Sequence, residues 1–491
     1  MELSSELEAN LRELAAAGPV ELRENGARVA PLSTLSWEVR GSGTKPLLHL
    51  WSAQHNLTRR VLAITDQSEE RLALAVERFG RSRPDRLEFV RVSVERSTRD
   101  LDRDEFCQWI VALCAKQFPD DAIDSFSIHQ DLEHSLSGSY ARGVVRSGAA
   151  RWAVLAATEH EAGQASRCLT FALLWLDRLR ESQGRGPVAG LRLLLPNELV
   201  HHVVHLLSAT SPKIQIEVYQ YDRSREVLEK INPSDLSNLS SWLVPARETQ
   251  SLLDSARADL ERVTSLAPSR ITLHPAVPAR QIILRFHGLS FARWEDHKIY
   301  FGVSEARQEL TPPTKPALKQ LLRDLEVHRH PLALDTLHPF FRAQPERWLE
   351  SLVREDVTRV DAALDQRFAY SQVLADAGGD HGILDILTVT RSGRLAILEL
   401  KATEFLSLSL QAADYWLRIR RHLERGDLQR YGYFPGIELQ TAPPPVYLVA
   451  PALRFHPATD RLLRMLTPQL ETIRVGLAEN WRRGLSVVLR Q

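Results

Sequence analysis

The chain has 491 residues, 44% of them hydrophobic and 25% charged, so it has enough apolar material for more than one core and we expect two or three folded units. Lysine plus arginine and aspartate plus glutamate both number 62, which excludes an overall basic coat for nucleic acid. Any phosphate-binding surface must therefore be local. The sequence has no apolar run of 18 residues and no signal-peptide pattern, so we expect a soluble, cytoplasmic protein without membrane contacts.

The cysteine pattern gives no sign of a zinc site or a disulfide framework. Cys107, Cys114 and Cys168 form no CxxC motif and have no matching histidine cluster. We expect them to be buried thiols in a reducing compartment.

Residues 1–100 are predicted to form a β-rich N-terminal module. The first 17 residues form a polar helical stretch, and the turn at 66–69 is expected to lead into a helix ending at Phe79. Short runs rich in β-forming residues predict strands at 37–39, 47–51, 61–65 and 87–94.

Residues 101–245 have the pattern of a central α/β lobe, in which short apolar strands alternate with amphipathic helices. The predicted strands are 152–157, 191–195 and 214–219, and the predicted helices are 164–180 and 198–208. Residues 246–335 form a connector region with a helix at 248–266 and a β-rich stretch at 280–303.

Residues 336–491 predict a last α/β domain. The pattern indicates helix 346–364, strands 368–374, 383–390 and 395–401, helix 407–424 and strand 446–450. The order is αβββαβ, followed by a further helix and strand.

Two acids and a lysine interrupt the apolar strands of this domain. A three-residue turn at 391–393, with Gly393 in a left-handed conformation, makes Thr390 face Arg394, and counting back along the hairpin makes Asp385 face Glu399. Directly opposed residues have Cβ atoms roughly 5 Å apart, so two carboxylates there repel each other unless a cation compensates them. Carboxylate oxygens suit Mg²⁺ or Mn²⁺, and we therefore predict that Asp385 and Glu399 bind such a metal.

Lys401 is predicted to share the strand face of Glu399. The chain has eight lysines against 54 arginines, and Lys401 is the only lysine after Lys319. A lysine ammonium is compact and has an adjustable pKa, which suits a group beside metal-bound water. The alternative interpretation is a structural Glu–Lys pair.

These residues resemble the signatures of a known nuclease superfamily. Gly382 to Asp385 matches GxxD, Glu399 to Lys401 matches ExK, and Gln411 to Tyr415 matches QxxxY, as in the RecB-like branch of the PD-(D/E)xK nucleases. The hairpin region is also similar to the catalytic domain of NucS-like endonucleases. The resemblance implies a restriction-endonuclease-like αβββαβ core, with Asp385 and Glu399 as metal ligands and Lys401 as a catalytic residue.

The same resemblance implies roles for residues on two helices. Gln411 and Tyr415, four residues apart and hence on one helix face, would support the site or contact DNA. A further catalytic glutamate is implied on the first helix, where Glu346 fits best and Glu350 is the alternative. Separately, Arg418 is a candidate phosphate contact in an arginine-rich stretch that is otherwise explained as a solvated helix face.

The central lobe has a pattern that parallels the C-terminal hairpin. Arg146-Ser147-Gly148 and the strand and helix after it follow the order found around Arg391-Ser392-Gly393. We hypothesise a degenerate nuclease-like repeat in which Ala156 and Thr158 replace Glu399 and Lys401, with Tyr140 near the place of Asp385. The other interpretation is an ordinary α/β core.

The sequence as a whole therefore predicts a metal-dependent nuclease in repair or defence, with DNA as the preferred substrate and RNA as the alternative. A homodimer is compatible with this prediction. The alternative is an inactive nuclease-fold protein that binds nucleic acid or acts as a scaffold. The absence of a Walker A motif argues against a fused ATPase.

Overall fold

The computed structural model describes residues 3–491 except 18–19, 25–26, 42–44, 52–55, 69, 78–83, 92–97, 132, 162–164, 183–185, 235–240, 268–269, 304–306 and 378–379. Within this part of the chain the strands form four sheets. None of the helices described there has the length and apolar character needed to cross a bilayer.

The N-terminal module is an antiparallel sheet covered by one helix, with the strand order β2-β1-β7-β6-β5-β4-β3. Its elements are α1 (Leu3–Ala17), β1 (Val20–Glu24), β2 (Ala27–Pro31), β3 (Ser36–Arg40), β4 (Leu47–Trp51), β5 (Asn56–Ser68), β6 (Arg71–Glu77) and β7 (Asp85–Arg91). The predicted helix ending at Phe79 is wrong over 71–77, where β6 lies, and Phe79 itself is outside the described residues. The reason is the period-2 alternation of Leu72, Leu74 and Val76, which are all buried.

The central lobe has the predicted α/β order, with the strand order β13-β12-β11-β10-β9-β8. Its elements are α2 (Thr98–Gln117), β8 (Ala122–Ser127), β9 (Tyr140–Ser147), β10 (Ala150–Ala157), α3 (Ala165–Glu181), β11 (Val188–Pro196), α4 (Asn197–Leu207), β12 (Gln215–Asp222) and β13 (Val227–Ile231). Cys114 and Cys168 are buried as predicted, whereas Cys107 is only half-buried. Burial raises the pKa of the Cys114 thiol to about 12.

The connector region forms a β-meander, β15-β16-β17-β18-β19, packed against two helices. Its elements are β14 (Ser241–Leu243), α5 (Ala246–Thr264), β15 (Ile271–Ala276), β16 (Gln281–Phe286), β17 (Leu289–Glu295), β18 (Lys298–Phe301), β19 (Gln308–Glu309), α6 (Lys315–His328) and α7 (Pro339–Arg342). Helix α6 and the short α7 were not expected from the sequence. Strand β14 precedes the meander in the chain and pairs with β20 of the C-terminal sheet.

The C-terminal domain has the predicted order of helix, three strands, helix and strand. Its elements are α8 (Pro345–Glu355), β20 (Leu364–Ala377), β21 (Asp380–Thr390), β22 (Leu395–Leu400), α9 (Leu408–Glu424), α10 (Asp427–Arg430), β23 (Val446–Pro451), α11 (Thr459–Arg464), β24 (Thr472–Leu477) and β25 (Val487–Arg490). The sheet order is β14-β20-β21-β22-β23-β24-β25. The first helix is shorter than predicted and ends at Glu355, because Asp356 turns the chain by accepting a hydrogen bond from the Thr358 amide at 3.1 Å.

A buried arginine ties the connector region to the first helix of the C-terminal domain. Arg329 is fully buried and donates to the carbonyls of His287 at 3.0 Å and Ala343 at 2.7 Å. Its guanidinium also lies 4.7 Å from the centre of the Trp348 ring. These contacts place β16 beside α8, so that residues of both elements reach the candidate site.

Candidate active site

The hairpin of β21 and β22 has the predicted register. Gly393 has φ +88°, the Thr390 amide donates to the Arg394 carbonyl at 2.7 Å, and pairing continues to Ile386 opposite Leu398. The next residues in this register are Asp385 and Glu399. At this position a side-chain contact replaces the backbone pairing of the ladder, since Asp385 Oδ2 accepts a hydrogen bond from the Leu400 amide at 3.0 Å.

Glu399 and Lys401 form a buried pair at the end of β22. Lys401 Nζ donates to Glu399 Oε1 at 2.7 Å, and the glutamate is 1% exposed. Glu399 Oε2 is buried and has no hydrogen-bond partner among the described residues. Burial raises the pKa of Glu399 to about 8, and the negative charge of Asp385 acts in the same direction. Burial alone lowers the pKa of Lys401, but the attraction of Glu399 raises it overall.

A second buried glutamate stands beside Asp385. Arg347 Nη1 donates to Asp385 Oδ1 at 3.1 Å and to Glu350 Oε2 at 2.7 Å, so one guanidinium bridges the two acids. Burial raises the pKa of Glu350, and its Oε1 has no partner in the described part of the chain. Arg285 of β16 lies 3.8 Å from Glu350 Oε2. The connector region thus contributes a charge to the site.

The backbone is strained next to this cluster. Gln372 of β20 lies opposite Asp385 in the register of β20 and β21, and it has φ +55° in the middle of a strand. An L-residue other than glycine rarely adopts this conformation. Its side chain donates to Glu350 Oε2 at 3.1 Å, so the strained residue orients a buried carboxylate.

Helix α8 places Glu350, and not Glu346, in the hydrogen-bonded cluster with Asp385. Glu346 is half-buried and accepts a hydrogen bond from Thr403 Oγ1 at 3.2 Å, although its charge still raises the pKa of Lys401. The two glutamates are one helical turn apart, and Glu350 is the one on the buried face beside Trp348 and Leu349.

Gln411 and Tyr415 lie on one face of α9, as predicted. Gln411 Nε2 donates to Tyr415 Oη at 3.0 Å, and Gln411 Oε1 is buried without a partner among the described residues. Burial and the neighbouring charge of Glu399 raise the pKa of Tyr415, so its hydroxyl stays protonated.

The predicted phosphate contact of Arg418 does not fit its position. Arg418 is 2% exposed and pairs with Asp414 at 2.7 Å, in a buried contact that also brings His205 Nε2 within 3.3 Å of Asp414. The residue lies between α9 and α4 of the central lobe, and its guanidinium is buried there. The arginine-rich pattern did not predict this because it does not show which helix face is covered by another lobe.

The donor set fits a divalent metal held by few protein ligands. Glu399 Oε2 and Glu350 Oε1 are buried carboxylate oxygens that find no partner among the described residues, which is costly unless a proton or cation satisfies them. Within the described residues, however, no three histidine, cysteine, aspartate or glutamate side chains form a metal-binding group. A Mg²⁺ site with one or two carboxylates completed by water and phosphate requires no such group.

Comparisons with known proteins identify no family for the chain. No family model and no curated protein matches it. Among solved structures, a repair endonuclease from Pyrococcus abyssi aligns with 45% of this chain and 95% of its own, at 12% identity and a TM-score of 0.17. A similarity at this level does not establish a common fold.

The sequence patterns did not indicate Arg285, Arg347 or Gln372 as residues of the site. The spacing of Arg347 and Glu350, three residues apart on one helix, was a usable signal for their pairing. No local pattern connects Arg285 or Gln372 to Asp385, because they come from other strands and meet it only in the folded chain.

Proposed function

We propose that the C-terminal domain is a restriction-endonuclease-like, metal-dependent nuclease that hydrolyses phosphodiester bonds, in DNA rather than RNA. The observation that carries the proposal is that Asp385 and Glu399 occupy the positions directly beyond the last paired residues of a buried hairpin, Ile386 and Leu398, with Lys401 bonded to Glu399 Oε1 and no partner for Glu399 Oε2 among the described residues. The resemblance of these residues to the PD-(D/E)xK signatures supports the same proposal.

The residues have complementary tasks in this proposal. Asp385 and Glu399 would hold Mg²⁺ or Mn²⁺, and Glu350 would take the role that the resemblance implies for Glu346. Such an ion, when bound, would supply a Lewis acid that polarises a phosphoryl oxygen and lowers the pKa of water. Lys401 would orient the attacking water, and Tyr415 with Gln411 would support the site from the side of α9 or contact DNA.

A specific observation favours a second candidate, a nucleic-acid-binding or scaffold protein without catalysis. Arg347 and Lys401 already pair with Asp385 and Glu399, so the charges of the acids are compensated by the protein itself. A buried pair of this kind is compatible with a purely structural role.

Cleavage assays and metal titration distinguish the two functions. We expect Mn²⁺ to raise the melting temperature of the wild-type chain and to support cleavage of at least one of single-stranded, duplex, flap or mismatched DNA. Asp385→Asn, Glu399→Gln and Lys401→Met should each lower cleavage by about 100-fold or more. Glu424→Gln, at an exposed position of α9, is the control and should cleave normally.

Each result of these assays excludes or supports one of the two functions. Full cleavage by Asp385→Asn would exclude the assigned site. A wild-type chain that shows neither a Mn²⁺-dependent thermal shift nor cleavage, but binds DNA, would establish the second candidate. Cleavage of RNA alone would overturn the DNA assignment while keeping the site.

A further inference from the structure

The central and C-terminal sheets have the same strand pairing. In the central sheet, β8–β9 and β9–β10 are antiparallel, β10–β11 and β11–β12 are parallel, and β12–β13 is antiparallel. In the C-terminal sheet, β20–β21 and β21–β22 are antiparallel, β22–β23 and β23–β24 are parallel, and β24–β25 is antiparallel. Strand β14 is an addition at the edge of the second sheet.

The helices also occupy equivalent places. Helix α2 precedes the first strand of one lobe as α8 does in the other, α3 corresponds to α9, and α4 corresponds to α11. The faces correspond as well, because α2 packs on the face that carries Val154 and Ala156, and α8 packs on the face that carries Ile386 and Leu398. The two lobes therefore share one architecture from the first helix to the last strand.

The contact between the lobes is reciprocal. Helix α3 packs against its equivalent α9, while α4 packs against α9 and α11 packs against α3. Directly after α4 and α11 the chain forms a symmetric bridge, in which the Ser211 amide donates to the Met465 carbonyl and the Thr467 amide donates to the Ala209 carbonyl, both at 2.8 Å. This is the pattern of an isologous interface, in which the same surface is used on both sides.

The two lobes differ in their acids. Strands β9 and β10 contain no aspartate or glutamate, and at the far end of their hairpin Tyr140 lies opposite Ala157. Ala156 lies on the other face, towards α2, so the sequence-based match of Ala156 to Glu399 is shifted by one residue. An acid that follows β10, Glu161, accepts a hydrogen bond from Tyr140 Oη at 2.6 Å.

We infer that the central lobe takes the place of a second nuclease lobe, so that each chain carries one cutting site and breaks one strand per encounter. The inference rests on the proposed function. A second active lobe would need the surface of α9 and α11 to pair with the C-terminal lobe in this way. Helices α3 and α4 of the same chain already cover that surface. On duplex DNA the first product is therefore a nick.

A mixing experiment tests the inference on whichever nucleic acid the chain cleaves. Wild-type chain is mixed with Asp385→Asn at constant total concentration, and the initial cleavage rate is measured with Mn²⁺. A unit that acts alone gives a rate proportional to the wild-type fraction, so half wild-type chain gives half the rate. A pair of chains that must both be active gives one quarter. Mixing with Glu424→Gln is the control and should leave the rate unchanged.

Supercoiled plasmid gives a second measurement when duplex DNA is cleaved. Nicked circles should precede linear DNA, which forms later through independent second nicks. Linear DNA as the first product, or a rate that falls with the square of the wild-type fraction, would overturn the inference and leave the proposed function intact. Absence of cleavage by the wild-type chain on every substrate would instead overturn the proposed function, and the inference with it.

Discussion

Glu399 is the residue at which burial and charge conflict most directly. A fully buried carboxylate loses its hydration, and in the described part of the chain only one of its two oxygens has a partner, the Lys401 ammonium at 2.7 Å. The raised pKa means that the folded chain keeps a proton on Glu399 at pH values where the unfolded chain has lost it. A cation that binds Glu399 must displace this proton.

The raised pKa of Glu399 predicts how stability depends on pH in the metal-free protein. Between about pH 4.5, its ordinary value, and about pH 8, its value in the fold, the folded state binds more protons than the unfolded state, so the free energy of unfolding should fall as pH rises. The fall should be at least about 1 kcal/mol. Glu399→Gln cannot titrate and should show a flatter dependence.

Urea unfolding at pH 5.5 and pH 8 in EDTA measures this effect. Glu424→Gln serves as the control, because it removes an exposed carboxylate from the same domain. Identical pH dependence in the wild-type chain and in Glu399→Gln would contradict the assignment of a raised pKa to Glu399.

At the scale of elements, the β21–β22 hairpin determines whether the acids meet. Its turn is held from outside, since the Gln440 amide donates to the Gly393 carbonyl at 2.9 Å and the Gln440 side chain donates to the Ser392 carbonyl at 2.7 Å. The equivalent turn of the central lobe carries Gly148, also at positive φ but in open space. The two glycines form a matched pair.

Replacing each of these glycines by alanine should have unequal effects. Gly148→Ala should cost about 1 kcal/mol of folding free energy, because alanine is strained at positive φ. Gly393→Ala should cost more, because its Cβ would lie 2.2 Å from the Glu438 carbonyl oxygen and the turn must shift. Equilibrium unfolding of both variants measures the difference, and equal losses would show that the turn at Gly393 can relax without cost.

At the scale of the whole molecule, the central and C-terminal lobes share one hydrophobic core. A single cluster includes Leu173 of α3, Val203 of α4 and Trp416 of α9, all fully buried, together with Leu462 of α11. The N-terminal module has a separate cluster that runs from Leu7 to Phe89. The predicted units 101–245 and 336–491 therefore contribute to one common core.

Truncation should reveal this organisation. A chain of residues 98–491 keeps both lobes and should melt near the temperature of the full chain. A chain of residues 241–491 lacks the central lobe and exposes the apolar faces of α9 and α11, so it should melt at a lower temperature or self-associate. Light scattering and thermal unfolding measure both properties. A monomeric 241–491 chain as stable as 98–491 would contradict the shared core.

The sequence by itself determined the local features of this protein. Period-2 apolar strands, the three-residue turn with Gly393, and the α/β order of both lobes follow from side-chain alternation and turn chemistry, which are encoded by neighbouring residues. The register that brings Asp385 beside Glu399 follows in the same way, because a hairpin's register depends on its turn. In the segment of β6, alanine residues favour a helix and the period-2 alternation favours a strand. The helix prediction was wrong there.

The tertiary structure alone decided which charges surround the acids and which helix faces are covered. Arg285 reaches Glu350 from a separate sheet, and Arg418 is buried because α4 of the central lobe packs on α9. Contacts between residues far apart in the chain depend on the packing of whole elements, and no spacing within one segment encodes them. The charge balance of the site and the pairing of the two lobes therefore could not be predicted from the sequence alone.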